Sequence, residues 1–217
     1  MISGPAVSPR SGGAPKQLVV LLHGYGADGE DLIGLAEPLA EVFPDALFCA
    51  PNAPTRCAQN PFGYEWFPIA FEAMQESVET GAPRARAAIV EYLEGLWART
   101  GLGPADTFLV GFSQGAMMGL HVSLSLQKPV RGVVSFSGAL VPPTDFDAAP
   151  KPPVCLVHGE LDQVVDPART VEAAEILSAR GYELAVHFSP GLAHGISPDG
   201  LQFATGFMVG RMSASAD

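Results

Sequence analysis

Six short apolar runs punctuate the chain: QLVVLL (17–22), ALFCA (46–50), DTFLVG (106–111), GVVSFS (132–137), PVCLVH (153–158) and ELAVHF (183–188). Most are continuous rather than alternating, the pattern of strands covered on both faces of a parallel sheet. Between them, apolar residues recur at helical spacing in 31–43, 84–100, 114–126, 167–180 and a last stretch near 199–211. In 84–100, Ala88, Ile89, Tyr92, Leu93, Leu96 and Trp97 fall on one face. Asp166 followed by Pro167 reads as an N-cap and first-turn proline, with Gly181 as the residue that closes the same helix. Strand–helix alternation of this kind predicts an α/β fold, an open and mostly parallel sheet with right-handed crossovers.

Two segments depart from that rhythm. Residues 1–15, rich in Gly, Pro, Ser and Ala, read as a loose arm ahead of a single domain over 16–217. Residues 51–80 are too long for an ordinary connection, and their dense aromatic set argues against disorder. Phe62, Trp66, Phe67 and Phe71 in this loop are expected either to form a substrate pocket at the sheet edge or to pack into the core of an Ω-loop.

Composition narrows the class. A chain of 217 residues with 47% hydrophobic and 16% charged residues supports one globular core without disulfide staples. Twelve Lys and Arg against 23 Asp and Glu give a net charge of −11, and no basic cluster occurs, so nucleic acid and anionic membranes are poor partners. Cys49, Cys57 and Cys155 form no C-x-x-C pair, and Cys49 and Cys155 sit in strand-like runs as small buried hydrophobes. The N-terminus lacks the apolar core of a signal peptide, and no run approaches a membrane span. The expected setting is cytoplasmic, without membrane insertion, as a monomer or homodimer.

The candidate chemistry starts at TFLVGFSQGAMMGLH, where a strand runs into a helix through Gly111-Phe112-Ser113-Gln114-Gly115. This is a G-x-S-x-G elbow in its proper strand–turn–helix setting, which presents the serine hydroxyl at the carboxyl edge of the sheet. A serine hydroxyl needs a neighbouring imidazole to become a nucleophile. Of five histidines, His121 lies inside the following helix, His187 inside a strand, and His23 and His158 end strands just before glycines. His194, in the loop PGLAHGISPDG after the last strand, has the position that a base requires. The base in turn needs an acid. Asp162 in HGELDQVVDPAR is favoured. Asp166 is better used as a cap and Glu160 is nearer the turn, while Asp145 and Asp147 follow the preceding strand, where some hydrolases place the acid. Val164 and Val165 follow Asp162 and serve as a wall to the site. The order Ser113, Asp162, His194 is that of α/β-hydrolases.

An oxyanion formed on the substrate needs two preorganised donors. The backbone N–H of Gln114, next to the nucleophile, is one. The other is expected from LLHGYGADGEDL (21–32), where Tyr25 is the best candidate and Asp28 and Asp31 act as helix caps. No phosphate loop, no H-E-x-x-H and no histidine cluster is present in the sequence, so neither a metal nor a cofactor is expected.

With these pieces assembled, the chain resembles the phospholipase/carboxylesterase family of α/β-hydrolases, which includes bacterial carboxylesterases and acyl-protein thioesterases. The matching motifs are LLHGYGADGEDL, GFSQGAMMGLH, HGELDQVV and GLAHGI, in family order, with YEWFPI similar to a Trp-containing loop segment. The resemblance spans residues 16–210. It implies the α/β-hydrolase fold, a three-layer αβα arrangement without a separate lid domain. It assigns nucleophile, acid and base to Ser113, Asp162 and His194, and the oxyanion amides to Tyr25 and Gln114. Many acyl-protein thioesterases carry leucine where this chain has Tyr25, which points to the carboxylesterase branch. The expected activity is hydrolysis of short- to medium-chain acyl esters through an acyl-enzyme. A thioesterase or lysophospholipase with the same triad is the alternative, and a non-catalytic binding protein on the same fold is a remote one.

Overall fold

The computed structural model describes residues 2–70, 74–144, 146–148 and 150–213. Its elements run β1 (Ala6–Val7), β2 (Gln17–Leu22), α1 (Gly29–Ile33), α2 (Ala36–Val42), β3 (Ala46–Cys49), β4 (Thr55–Arg56), β5 (Tyr64–Glu65) and α3 (Met74–Thr100). There follow β6 (Thr107–Phe112), α4 (Gln114–Ser123), β7 (Gly132–Phe136), β8 (Val154–Gly159), α5 (Ala168–Ala179), β9 (Leu184–Ser189) and α6 (Pro198–Ser213). Seven strands form one sheet in the order β1-β3-β2-β6-β7-β8-β9, and every pairing but that of β1 is parallel.

Alternation along each strand divides the core in two. Leu18, Val20, Leu22, Leu109, Val133 and Leu156 face one side, where they pack with residues of α3, α4 and α5. Val19, Leu21, Phe108, Val110, Val134 and Val157 face the other, against α1, α2 and α6. The result is the expected three-layer αβα sandwich, and no lid domain is inserted among the described residues. Both faces of β2 are covered, and Leu18 through Leu22 are fully buried. Burial of such a side chain contributes about 1.5–3 kcal/mol each, which explains why the strand carries no polar alternation. Helix α4 is buried over its whole length between the sheet and α3, so it is apolar nearly all round.

Three local expectations change. The helix expected over 31–43 is two short ones, and Pro38 falls in the first turn of α2, where its missing N–H costs nothing. The helix expected to start at residue 84 starts at Met74 and runs through Pro83. Ala82 and Ala85 are buried against the core, and that packing outweighs the one helical hydrogen bond that proline removes. Phe67 lies against Gly81, and any side chain there would collide with the ring. The arm read as loose instead lays β1 antiparallel along β3, with Ala6 opposite Cys49 and Val7 opposite Phe48. Two further bonds, Ala50 N–H to Pro5 O and Asn52 N–H to Ser3 O, extend the pairing. The short strand covers the edge that β3 would otherwise expose.

Segment 51–80 is likewise more ordered than a loop. It forms the two-stranded ladder β4–β5, with Thr55 opposite Glu65 and Arg56 opposite Tyr64, and then enters α3. The helix signals at 167–180 are borne out in detail. The Asp166 carboxylate accepts from Ala168 N–H, and Gly181 takes φ +73°, closing α5 with bonds from Gly181 and Tyr182 to Ser178 and Leu177.

Candidate active site

Strand β6 and helix α4 meet at Ser113, whose φ of 53° and ψ of −118° lie in a region that side chains avoid. Holding a non-glycine residue there costs about 1–3 kcal/mol, which the surroundings must offset. They do so by fixing the turn at both ends. Ser113 N–H donates to Phe136 O at 2.9 Å, and Ser113 O accepts the first bond of α4 from Met117 at 3.1 Å. The flanking glycines are steric requirements. A methyl group on Gly111 would meet the backbone of Gly115 and Ala116, and one on Gly115 would collide with the Leu22 carbonyl. Helix and strand can therefore cross this closely only without side chains at both positions.

The end of β2 leads into His23-Gly24-Tyr25-Gly26, which passes directly over the elbow. A Cβ on Gly24 would lie 3.5 Å from Ser113 Cβ. Gly26 has φ +75°, the left-handed turn that glycine tolerates. His23 braces this loop from below. Its Nδ1–H donates to Gly24 O at 2.8 Å, and its Nε2 accepts from Ala53 N–H at 3.0 Å. Burial lowers the His23 pKa despite the Gly24 carbonyl, so the ring serves as a neutral strut. Tyr25 lines the cleft with its neighbours. Burial raises the pKa of its hydroxyl, and bonding to Cys57 and Glu65 raises it further.

Apart from Ile69, which borders the cleft, the described residues of segment 51–80 hold this loop in place rather than lining the cleft, which corrects the expectation for three of its aromatics. Trp66 and Phe67 are buried in the core at 2% exposure, and Phe62 stands 85% exposed; Phe71 lies outside the described residues. Trp66 Nε1–H donates to His23 O at 2.9 Å. Gln114, just after Ser113, grips the same segment with its side chain. Its Oε1 accepts from Trp66 N–H at 2.9 Å and its Nε2 donates to Phe67 O at 2.8 Å. Gly26 N–H reaches Tyr64 O, and Tyr64 N–H reaches Ala27 O, at 2.9 and 2.8 Å. The dense aromatics of this segment argued against disorder, but nothing in it showed which surface it would cover. Trp66 and Phe67 instead border a separate cavity of about 720 Å³, whose wall includes Pro54, Ile69 and Arg84.

The candidate acid and base converge from the far side. Gly159 at the end of β8 packs so closely on Leu192 and Ala193 that a side chain would strike their carbonyls. Glu160 N–H to Ser189 O and Leu161 N–H to Leu192 O, at 3.1 and 2.8 Å, zip the two loops together. His194 Nδ1 then lies 2.7 Å from Asp162 Oδ2. The other oxygen, Oδ1, accepts from the N–H groups of Val164 and Val165 at 2.9 and 3.0 Å. Burial pushes the Asp162 carboxyl up, but the bonds from His194, Val165 and Val164 outweigh it and hold its pKa below the usual value. The rival acids stand elsewhere. Asp147 pairs with Arg180 on the surface, Asp166 caps α5, Glu160 is exposed, and Asp145 lies outside the described residues. His121 bonds Val141 O, and His187 pairs with Asp199 and stacks on Phe203.

Ser113, Gln114, Tyr25, His194 and Val165 all border one cleft of about 640 Å³. Leu32, Ile69, Phe112, Met117 and Val164 supply the rest of its apolar wall, and Phe112 lies against the His194 ring with 4.8 Å between centroids. Of these, Met117 was legible in the sequence, since a residue four after Ser113 on α4 stands one turn above it. Ile69 and Leu32 arrive from distant segments and left no local sign.

The chain is similar to other proteins over nearly its whole length. A profile of the phospholipase/carboxylesterase family matches residues 5–210. Esterase YpfH of Escherichia coli (strain K12) is 30% identical over 194 residues, covering 87% of this chain and 80% of that protein. Acyl-protein thioesterase 1 of Neurospora crassa is 25% identical over 92% of this chain and 88% of its own. The crystal structure of esterase PE8 superposes with a TM-score of 0.93 at 48% identity, covering 96% of this chain and 98% of that one. The chain therefore belongs to the phospholipase/carboxylesterase family of α/β-hydrolases and is a carboxylic ester hydrolase.

Proposed function

We propose that the protein is a serine carboxylesterase acting through Ser113, His194 and Asp162. The observation that carries this reading is the 2.7 Å bond between His194 Nδ1 and Asp162 Oδ2, at the cleft that also contains the strained Ser113. The Asp162 carboxylate accepts a hydrogen bond from His194 Nδ1–H, which fixes the tautomer whose Nε2 is unprotonated and able to take the Ser113 proton. Ser113 Oγ attacks the ester carbonyl, and the charge that develops on its oxygen is received by the N–H groups of Gln114 and Tyr25. As first residue of α4, Gln114 has no partner for its N–H within the helix. The alcohol departs with the proton from His194, and the same imidazole then activates water to release the acid.

The cleft wall offers Val165, Ile69 and Met117 to the substrate and is open enough for short- to medium-chain acyl groups. A cytoplasmic monomer or homodimer, with small acyl esters as partners and no nucleic acid, fits the net charge of −11. Among the described residues, no helix is long and apolar enough to cross a membrane. Similarity to an acyl-protein thioesterase over nearly the whole chain supports a second reading, a thioesterase with the same groups.

A fluorophosphonate probe should label Ser113 stoichiometrically, and Ser113→Ala should lower kcat by several orders of magnitude. Near-normal hydrolysis by that variant would remove the assignment. A panel of acyl chain lengths, run as matched oxygen and thiol esters, separates the two readings. The expected preference is for oxygen esters of short chains, and rates that climb steadily to sixteen carbons, or that favour thiol esters, would reverse it.

A further inference from the structure

We propose that His158 is a positioning residue that holds the Asp162 carboxylate in the orientation His194 requires. This rests on the reading of Asp162 and His194 as acid and base. His158 stands at the end of β8, and its side chain and that of Asp162 are fully shielded from solvent. Its Nε2 lies 2.8 Å from Val165 O and 3.2 Å from Asp162 Oδ2. Both of those atoms accept, so Nε2 carries the proton. At the opposite side of the ring, Nδ1 is 2.7 Å from Thr170 Oγ1. With the ring proton on Nε2, the Thr170 hydroxyl donates to Nδ1, and every polar atom of the imidazole has a partner.

The consequence is felt at Asp162. Val164 and Val165 N–H donate to Oδ1 and His194 Nδ1–H to Oδ2, while His158 Nε2–H, bonded to Val165 O, lies 3.2 Å from the same Oδ2. Three hydrogen bonds, two on Oδ1 and one on Oδ2, and the close His158 N–H beside Oδ2 hold the carboxylate, so rotation about its terminal bond would break bonds on both oxygens. Val165 is tied twice, its N–H to Asp162 and its carbonyl to His158. The 162–165 turn is thereby clamped between β8 and, through buried Thr170, helix α5. His158 does not border the cleft that contains Ser113, and both its nitrogens are engaged, so it is not a second base. Its effect on the reaction passes through Asp162.

Two pairs of variants test this, read on an aryl acetate. His158→Leu removes the donor, whereas His158→Gln keeps an N–H near the position of Nε2. Thr170→Val removes the hydroxyl that donates to Nδ1 with little change of shape, whereas Thr170→Ser retains it. The expected result for His158→Leu is a fall in kcat of about 10- to 100-fold with KM changed less than about threefold, the signature of a misplaced catalytic group. Thr170→Val should move in the same direction by a smaller factor, and the Gln and Ser variants should recover most of the loss. In proton NMR, the downfield resonance of the proton between His194 and Asp162 should broaden or vanish in His158→Leu and Thr170→Val and return in the rescuing variants. If His158→Leu does not fold, the Thr170 pair decides. Full kcat and an unaltered downfield resonance in Thr170→Val and in any folded His158→Leu would overturn the proposal, as would losses that Gln and Ser fail to rescue. Ser113→Ala separates the two levels: if it stays active the triad reading itself fails, whereas an inactive Ser113→Ala beside fully active His158 and Thr170 variants condemns only the role of His158.

Discussion

Ser113 occupies a backbone conformation that its own side chain opposes. The φ of 53° persists because strand β6, helix α4 and the Phe136 carbonyl leave the turn no other path. The function proposed for this position is therefore set against stability. Replacing Ser113 with glycine should relieve the strain, partly offset by the larger entropy of glycine in the unfolded chain, for a net gain of about 1 kcal/mol. Urea unfolding of Ser113→Gly should show a higher midpoint than the parent with an unchanged slope, while esterase activity is lost. A lower midpoint would mean that the turn stores no strain.

Elements meet at the site through buried polar groups as much as through apolar contacts. The side chain of Gln114 joins α4 to the Trp66–Phe67 segment, and that segment braces the loop bearing Tyr25 through the Trp66 bond to His23. Truncation to alanine would leave a buried N–H on Trp66 and a buried carbonyl on Phe67 unpaired, each costing about 1–3 kcal/mol. Gln114→Ala should accordingly unfold with a stability loss of about 2–4 kcal/mol in equilibrium denaturation. Its backbone N–H is retained, so kcat should fall by less than the roughly 10²–10³ that follows loss of an oxyanion donor. A kcat loss beyond that range, or an unchanged midpoint, would contradict this division of labour between side chain and main chain.

Over the whole molecule, charge bears on which esters reach the cleft. The net charge is −11, Asp31 stands in the cleft wall, and among the described residues no lysine or arginine lines it. Esters whose acyl or alcohol part carries a carboxylate should show a lower kcat/KM than neutral esters of equal size. The deficit should shrink as salt shortens the screening length from about 10 Å at 0.1 M to about 3 Å at 1 M. Asp31→Asn should lift part of it at low salt, while neutral esters respond to neither change. Equal rates for charged and neutral substrates at low salt would show that this field does not reach the reacting centre.

Periodicity and motif spacing were enough to determine the layers, the six parallel strands and the identity of Ser113, Gln114, Asp162, His194 and Tyr25 as candidates. Those features rest on local chemistry. A buried strand must be apolar on both faces, a tight elbow must have glycines beside it, and an acid and base must follow strand ends. Tertiary packing alone decided the rest. It drew Trp66 and Phe67 into the core under Gln114, carried α3 through Pro83, laid Ala6 and Val7 along the sheet edge, and brought Ile69 and Leu32 to the cleft wall. Each of these depends on what a residue meets across a large separation in the chain. His158 shows the limit most clearly: in the sequence it is a histidine before a turn glycine, and only the folded chain brings Asp162, Val165 and Thr170 to its two nitrogens.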